Sequence, residues 1–355
     1  MGIQNKKPLF LNKVAIITFI LFGVISIPFP VTATSHTSPG FYVHAKLPQN
    51  QIDKELGYFD LRMQPNQIQQ LEVEVINEFD NPISVTVEAI SASTNRNGII
   101  DYKTPDIQDE TLSIPFSSIS VVEQNSILIP AKSTKTAIVT ITMPNEQFDG
   151  IILGGLVFTC ENDVENQSQT TSINNIFSYV IGVKLSETDV KVVPQFEIVK
   201  ITPETMNYHP VFVHAIRNTE AAIVKNMNIE ISVTDTNGVV QAQTSKSNVD
   251  MAPNSVMPLG VSPNNGQLYS GEYISNIQME YNNQTYQYQI PFSVTDSNIT
   301  EINTQIFPDN FSNPQLHNFM PFIKRVLIAN FMIVSLLLIV FLKRRRKKGD
   351  ENGEQ

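Results

Sequence analysis

Between residues 39 and 295 apolar and polar residues alternate with a period of two, which is the spacing of a half-buried β-strand. LEVEVIN sets Leu71, Val73 and Val75 against Glu72, Glu74 and Ile76, and ISVTVEAI repeats the pattern with Ile83, Val85, Val87 and Ala89. Asn81-Pro82 fits a turn between them. Later, VFVHAIRN alternates Val211, Val213 and Ala215 against Phe212, His214 and Ile216, and MNIEISVTD places Met227, Ile229, Ile231 and Val233 on one face. Val, Ile, Thr, Tyr and Phe recur throughout, which suits strands. No helical apolar period of useful length occurs outside two apolar runs near the ends.

Two stretches share one arrangement. LEVEVINEFDNPISVTVEAISASTNRNG and VFVHAIRNTEAAIVKNMNIEISVTDTNG each carry a strand ending in Asn, Asn77 or Asn218, then a second strand and an Asn-Gly turn. The turns are Asn97-Gly98 and Asn237-Gly238, pairs that favour hairpins because they tolerate positive φ. The expected fold is all-β, with two immunoglobulin-like sandwiches in tandem over 39–187 and 190–295. The first contains the short strands of LSIPFSSISVVEQNSILIPAKSTKTAIVTITMP, and closes with a hairpin of IILGGLVFTC and INNIFSYVIGVKLS across the polar loop ENDVENQSQTTS. Gly154-Gly155 reads as a place where backbones approach closely, since no helix pattern follows to bind phosphate. The second ends in a hairpin at Asn282-Asn283, after which 296–321 reads as a polar stalk.

The ends add topology. Residues 1–33 read as a secretory signal peptide: Lys6, Lys7 and Lys13, an apolar run Val14–Ile27, then Pro28, Pro30 and a small-residue ending that predicts cleavage after Ala33. An uncleaved anchor fits that ending less well. Residues 322–342 read as one transmembrane helix, short but flanked by Lys324 and Arg325, which can snorkel. The basic run Lys343, Arg344, Arg345, Arg346, Lys347 and Lys348 places the tail, 343–355, in the cytoplasm. A wall-sorting signal of the LPxTG kind is missing upstream of the span; LPQN at 47–50 is near the wrong end. The expectation is a single-pass protein of the cell membrane with its sandwiches outside.

Composition narrows the class. The single cysteine, Cys160, excludes intrachain disulfides, and an exported chain without them suggests a Gram-positive surface. At the end of GGLVFTC it reads as a buried small side chain rather than a reactive thiol. The net charge is −10, and the segment between the end regions holds 13 cations against 31 anions. That argues against nucleic acid as a partner. A basic partner or diffuse divalent cations fit the charge, as does solubility alone.

Motifs for chemistry are scarce. His36, His44, His209, His214 and His317 show no metal spacing, and no nucleophile elbow, phosphate loop or dinucleotide fingerprint occurs. A glycosidase-like carboxylate pair stays open, but the chain has no Trp for sugar subsites. TDTNG at 234–238 and NRNGIIDY at 95–102 lack the spaced carboxylates of a calcium loop, and a hairpin explains both more simply. Sequons at Asn166, Asn283 and Asn298 read as chance in polar loops. Tyr58, Phe59 and Leu61 read as apolar anchors, Pro65-Asn66 as a turn, and Gln67, Gln69 and Gln70 as a solvated edge or an exposed polar patch. The expectation is therefore a non-enzyme without cofactor or metal.

Several blocks, in order, resemble the WxL-interacting proteins of low-GC Gram-positive bacteria: LPQNQ at 47–51, GYFDL at 57–61, QPNQIQQLEVEVIN at 64–77, TNRNGIIDY at 94–102 and GIILGGLVF at 150–158. Residues from about 165 to 300 are similar to the family's second domain. Asn66 stands where a glycine turn is expected, and Asn also tolerates left-handed geometry. The resemblance implies a first domain that binds peptidoglycan, a second that binds a host ligand such as an extracellular matrix protein, and WxL-domain surface proteins as partners. It supplies no ligand-contacting residue. Two other classes stay open: a membrane-tethered assembly chaperone, and a wall-active hydrolase.

Overall fold

The structure is a computed structural model, and it describes residues 40–103, 109–162 and 175–306. The expected signal peptide with Ala33, the transmembrane helix and the basic run Lys343–Lys348 lie outside the described residues. No helix among the described residues is long and apolar enough to cross a membrane. From Phe41 onward the described residues cluster as one compact unit.

The chain is all-β, with eighteen strands and two short helices in the described residues. Two sheets enclose a first core. One has the order β1 (Phe41–Lys46), β3 (Ile68–Asn77), β9 (Ser133–Thr142), β7 (Ser120–Val122). The other runs β2 (Phe59–Arg62), β11 (Asn175–Ser186), β10 (Ile152–Asn162), β4 (Ile83–Ser91), β8 (Ser126–Ile129). β2 joins β11 in parallel and the other pairs of these two sheets are antiparallel. Leu71, Val73 and Val75 meet Val85, Val87, Phe158 and Ile181 in the core. The alternation read from the sequence thus points the expected residues inward. Phe59 and Leu61 are buried with them, but Tyr58 is 38% exposed. It precedes Phe59 on an alternating strand, so it faces away from the core.

A second core lies between β12 (Phe196–Met206), β13 (His209–Asn218) and β16 (Ser255–Val261) on one side, and β15 (Val240–Met251), β14 (Val224–Asp235), β17 (Gly271–Tyr281) and β18 (Gln284–Val294) on the other. In both sandwiches the second and fifth main strands share one sheet, and the third, sixth and seventh share the other. That division is the immunoglobulin pattern. A two-stranded ribbon, β5 (Ser93–Thr94) with β6 (Ile100–Asp101), follows β4. The hairpin from β17 to β18 turns at Asn282 and Asn283, φ 49° and 62°, as a two-residue turn with both residues left-handed.

Two segments depart from the sequence reading. Residues 116–119 form a helical turn, α1 (Phe116–Ile119), whose Phe116 enters the first core. The polar stalk expected from 296 begins as α2 (Asp296–Ile306), which packs on β12 with Ile302 buried and Ile299 beside it in the second core. Its start is fixed reciprocally: Thr295 Oγ1 accepts from Asn298 N at 3.3 Å, and Asn298 Oδ1 accepts from Thr295 N at 3.0 Å. Its isoleucines, Ile299, Ile302 and Ile306, stand at i, i+3 and i+7, a helical spacing only two turns long inside a polar segment.

The internal repeat is built into matching corners. Asn77 is buried at the end of β3, and its Nδ2 donates to Asn81 O at 2.9 Å and Pro130 O at 3.0 Å. Asn218 at the end of β13 donates to Ala222 O at 2.8 Å and Ala252 O at 3.0 Å. Left-handed Lys132 and Asn254 donate their N–H groups to Phe79 O and Glu220 O. Ser133 and Ser255 each return a hydroxyl to the carbonyl three residues back.

Candidate binding faces

The opening blocks of the first sandwich tie to one another. Asn50 and Gln69 exchange side-chain amide bonds at 2.9 and 3.0 Å, and Gln67 Nε2 donates to Gln69 Oε1 at 2.8 Å. Gln51 Nε2 donates to Tyr58 O, and Gln51 Oε1 accepts from Asp60 N. Gln70 bonds Glu123 across the sheet. These glutamines clip the chain entry to β2 and β3. The turn at Pro65-Asn66 forms with Asn66 left-handed, φ 57°.

The outer face of the five-stranded sheet carries an aromatic shelf. The two glycines of β10 face opposite ways. A Cβ on Gly154 would lie 2.1 Å from Phe116 Cδ1 inside, and one on Gly155 would lie 2.6 Å from Tyr102 Cδ1 outside. Aromatic rings, not backbones, therefore make the close approach expected here. The Tyr102 hydroxyl reaches toward Gly182, where Tyr58 also arrives. Burial, with Tyr58 adding, pushes the Tyr102 phenol pKa up. Val180 beside it is 44% exposed. On the same face Lys184 bonds Asp60 Oδ2 at 3.0 Å, while buried Asp60 Oδ1 has no hydrogen-bond partner. Three stretches far apart in sequence, 57–61, 94–102 and 150–158, meet here. Ring faces and phenol hydroxyls suit a sugar chain, which offers C–H faces and hydroxyls.

The second sandwich presents a different surface. Across its four-stranded sheet the register aligns Ser245, Glu230, Gln278 and Gln287 in one row and Gln243, Ser232, Asn276 and Gln289 in the next. Gln287 donates to Gln278 at 3.2 Å and Gln289 to Asn276 at 3.1 Å. These rows line an open groove of about 780 Å³. Glu230 is the one charge in them. On the inner side of that sheet, Ser275 hydrogen-bonds the buried His214 Nε2 at 2.9 Å, and burial lowers the His214 pKa to about 4.

The ribbon β5–β6 fastens the sandwiches together. Thr94 Oγ1 lies 2.6 Å from Ser255 Oγ and accepts from Ala252 N at 2.9 Å; Gly98 O accepts from Asp250 N at 2.8 Å. Beside it Arg217, its side chain 10% exposed, bonds Asp109 at 3.0 Å, Glu110 at 3.0 Å and Glu197 at 2.9 Å. Ile151 N donates to Ala221 O at 2.8 Å.

The expected turn residues fall into two equivalent turns. In 95–98 and 235–238 the glycine N–H donates to the first residue's carbonyl, and the glycine is left-handed. Asn95 Oδ1 accepts from Asn97 N at 2.9 Å, and Asp235 Oδ1 from Asn237 N and Val239 N at 2.9 Å. The Val239 and Asn237 amides hold the Asp235 carboxyl below its ordinary pKa, against a smaller opposing effect of burial. Asn97 and Asn237 keep negative φ, so these are type I turns with a glycine bulge, not the two-residue form. Their side-chain acceptors are engaged by the backbone. Among the described residues no three His, Cys, Asp or Glu side chains form a metal cluster. Cys160 is buried in the first core, and burial raises its pKa.

Residues 41–160 match the peptidoglycan binding domain of the WxL Interacting Protein family, and residues 168–304 match its host binding domain. The chain belongs to the WxL-interacting protein family. Both matched domains are binding domains and neither is an enzyme family. No curated protein matches the chain. Among solved structures it is similar to the CupB2 chaperone of Pseudomonas aeruginosa, at 11% identity and TM-score 0.27 over 64% of this chain and 93% of that one. The E. coli chaperone DraB gives 15% identity and TM-score 0.28 over 70% and 98%. The family blocks that place Tyr58, Tyr102 and Gly155 were legible in sequence; their meeting on one face was not.

Proposed function

We propose that this WxL-interacting protein is a surface-held binding protein that grips peptidoglycan through its first sandwich and presents the second to a host ligand. The observation that carries the reading is the order of the two family domains, 41–160 then 168–304, on two sandwiches fastened together. The wall contact is the Tyr102–Tyr58 shelf. The domain division follows the two cores, with the signal peptide, a stalk beyond α2, the transmembrane helix at 322–342 and the basic tail as the anchoring parts. That topology keeps the protein single-pass, with the sandwiches outside a Gram-positive cell and the tail inside. WxL-domain surface proteins are its protein partners, and no turnover of wall material is expected.

A pull-down tests the partner half of this reading. The full chain in detergent is mixed with WxL-domain proteins of the same organism. Retention at micromolar concentration is expected. No retention of any WxL protein removes them as partners and leaves the wall contact to be tested alone.

A further inference from the structure

A bare sheet edge invites another chain to pair with it, and folded proteins guard edges with charges, prolines, register breaks or short length. Most edges here are guarded. β1 is six residues long and carries His44 and Lys46; β2, β7 and β8 have four residues or fewer. β12 has a register break between Ile198 and Lys200, contains Pro203 and packs against α2. β15 breaks register three times and carries Lys246 and Asp250. β16 contains Pro258 and lies beside β5. Two long stretches among the described strands lack these guards: Asn175–Gly182 of β11, which β2 does not pair but where Phe41 and Tyr42 of β1 pack on Tyr179, and β18. β18 is eleven residues long, pairs with β17 without a register break, and has no charged residue. Its first guard is Pro291, which leaves Gln284–Ile290 bare.

The two faces of that edge state what an added strand must bring. Exposed Thr285, Gln287 and Gln289 stand on the outer face, where the latter two end the polar rows. On the inner face Tyr286, Tyr288 and Ile290 pack against the second core yet remain half-buried. The added strand needs uncharged polar residues alternating with aromatic or aliphatic ones. Thr285-Tyr286-Gln287-Tyr288-Gln289 meets the need itself, because it reads nearly the same in both directions about Gln287. Antiparallel pairing on a two-fold axis at Gln287 sets Gln287 against its own copy, Tyr286 against Tyr288, and Thr285 against Gln289. Every polar position then meets a polar one and every aromatic an aromatic.

We infer that β18 is a dimer interface: a second copy of this chain adds its own β18 antiparallel, centred on Gln287, and joins two four-stranded sheets into one of eight. The contact is isologous, so it closes at two copies. The new outer edges are the two β15 strands, bulged and charged, which stop further growth. The inference is independent of which wall or host ligand is bound.

Cysteine scanning on the full chain in detergent tests it. Directly opposed Cβ atoms lie about 4.5–5.5 Å apart on antiparallel strands, close to what a disulfide spans. Gln287→Cys should give a disulfide-linked dimer on mild oxidation. Thr285→Cys and Gln289→Cys should stay single when separate and cross-link when mixed. Cys160 is buried, so the unaltered chain serves as the control. Light scattering should show twice the mass of one chain, and Gln287→Lys, which sets two like charges face to face on an exposed position, should halve it while the circular-dichroism spectrum stays that of the folded chain; the melting temperature should depend on concentration in the unaltered chain and not in the variant. A one-chain mass at tens of micromolar, or equal cross-linking at all three positions, overturns the proposal.

Discussion

The two turns 95–98 and 235–238 have the same hydrogen bonds, the same left-handed glycine and opposite surroundings. At Gly98 a Cβ would lie 2.9 Å from Val249 Cγ1 of the second sandwich; at Gly238 it would meet nothing within 4 Å. The second turn ends in solvent and only reverses the chain. The first sits on a ribbon inserted after β4, and its Gly98 carbonyl takes the Asp250 N–H. One local device thus serves as a plain hairpin in one sandwich and as a fastener in the other. Turn chemistry is local and readable; what the turn touches is set by the tertiary fold.

That contrast can be broken at the fastening itself. Arg217→Ala leaves Asp109, its side chain 6% exposed, buried without its cation. Breaking such a buried pair costs about 3–5 kcal/mol. Denaturant unfolding should change from one transition toward two as the sandwiches uncouple, whereas Lys225→Ala, which removes an exposed pair with Asp250, should leave it single.

Acid should separate the sandwiches next. Folding lowers the His214 pKa from 6.5 to about 4, so the unfolded chain binds more protons between those values. Stability is then present above pH 6.5 and is lost as pH falls toward 4, by about 3 kcal/mol. The first sandwich has no buried histidine among its described residues, since His44 is exposed. Unfolding followed from pH 7 to pH 4 should show the second sandwich weakening first, and His214→Asn should flatten that slope.

The turns give a finer comparison. Gly238→Ala should cost about 1–2 kcal/mol for left-handed backbone alone. Gly98→Ala carries the same cost plus the Val249 contact, so its loss should be larger by at least about 1 kcal/mol. Equal losses in parallel melts would show that the ribbon is not pressed on the second sandwich. The smallest contrast is at the corners. Asn77→Ala and Asn218→Ala each strand buried carbonyls, at about 1–3 kcal/mol, and should differ by less than either loss because the corners match.

Much of this was written in the pattern of residues. Val73, Val85, Ile229 and Ile231 point inward as period two requires, and the strand-ending Asn77 and Asn218 marked the repeat before their bonds were seen. Other features were hidden for physical reasons. Tyr58 adjoins Phe59 in one aromatic pair, yet alternation sends it outward. The Thr295–Asn298 cap is too short a signal to announce α2. Arg217 and Asp109 are separated by 108 residues, and nothing local links them. Gly155 is explained only when the Tyr102 ring is seen above it. The bare edge of β18 depends on which strand ends the sheet, which is a property of topology.

Sedimentation with purified insoluble peptidoglycan is the most direct test. The full chain should co-sediment, and Tyr102→Ser with Tyr58→Ser should release it while its melting curve keeps its shape. Gln278→Ala on the second sandwich should leave retention unchanged. Failure of the unaltered chain to sediment, or release by Gln278→Ala rather than by the tyrosine changes, would contradict the placing of the wall contact on the first sandwich.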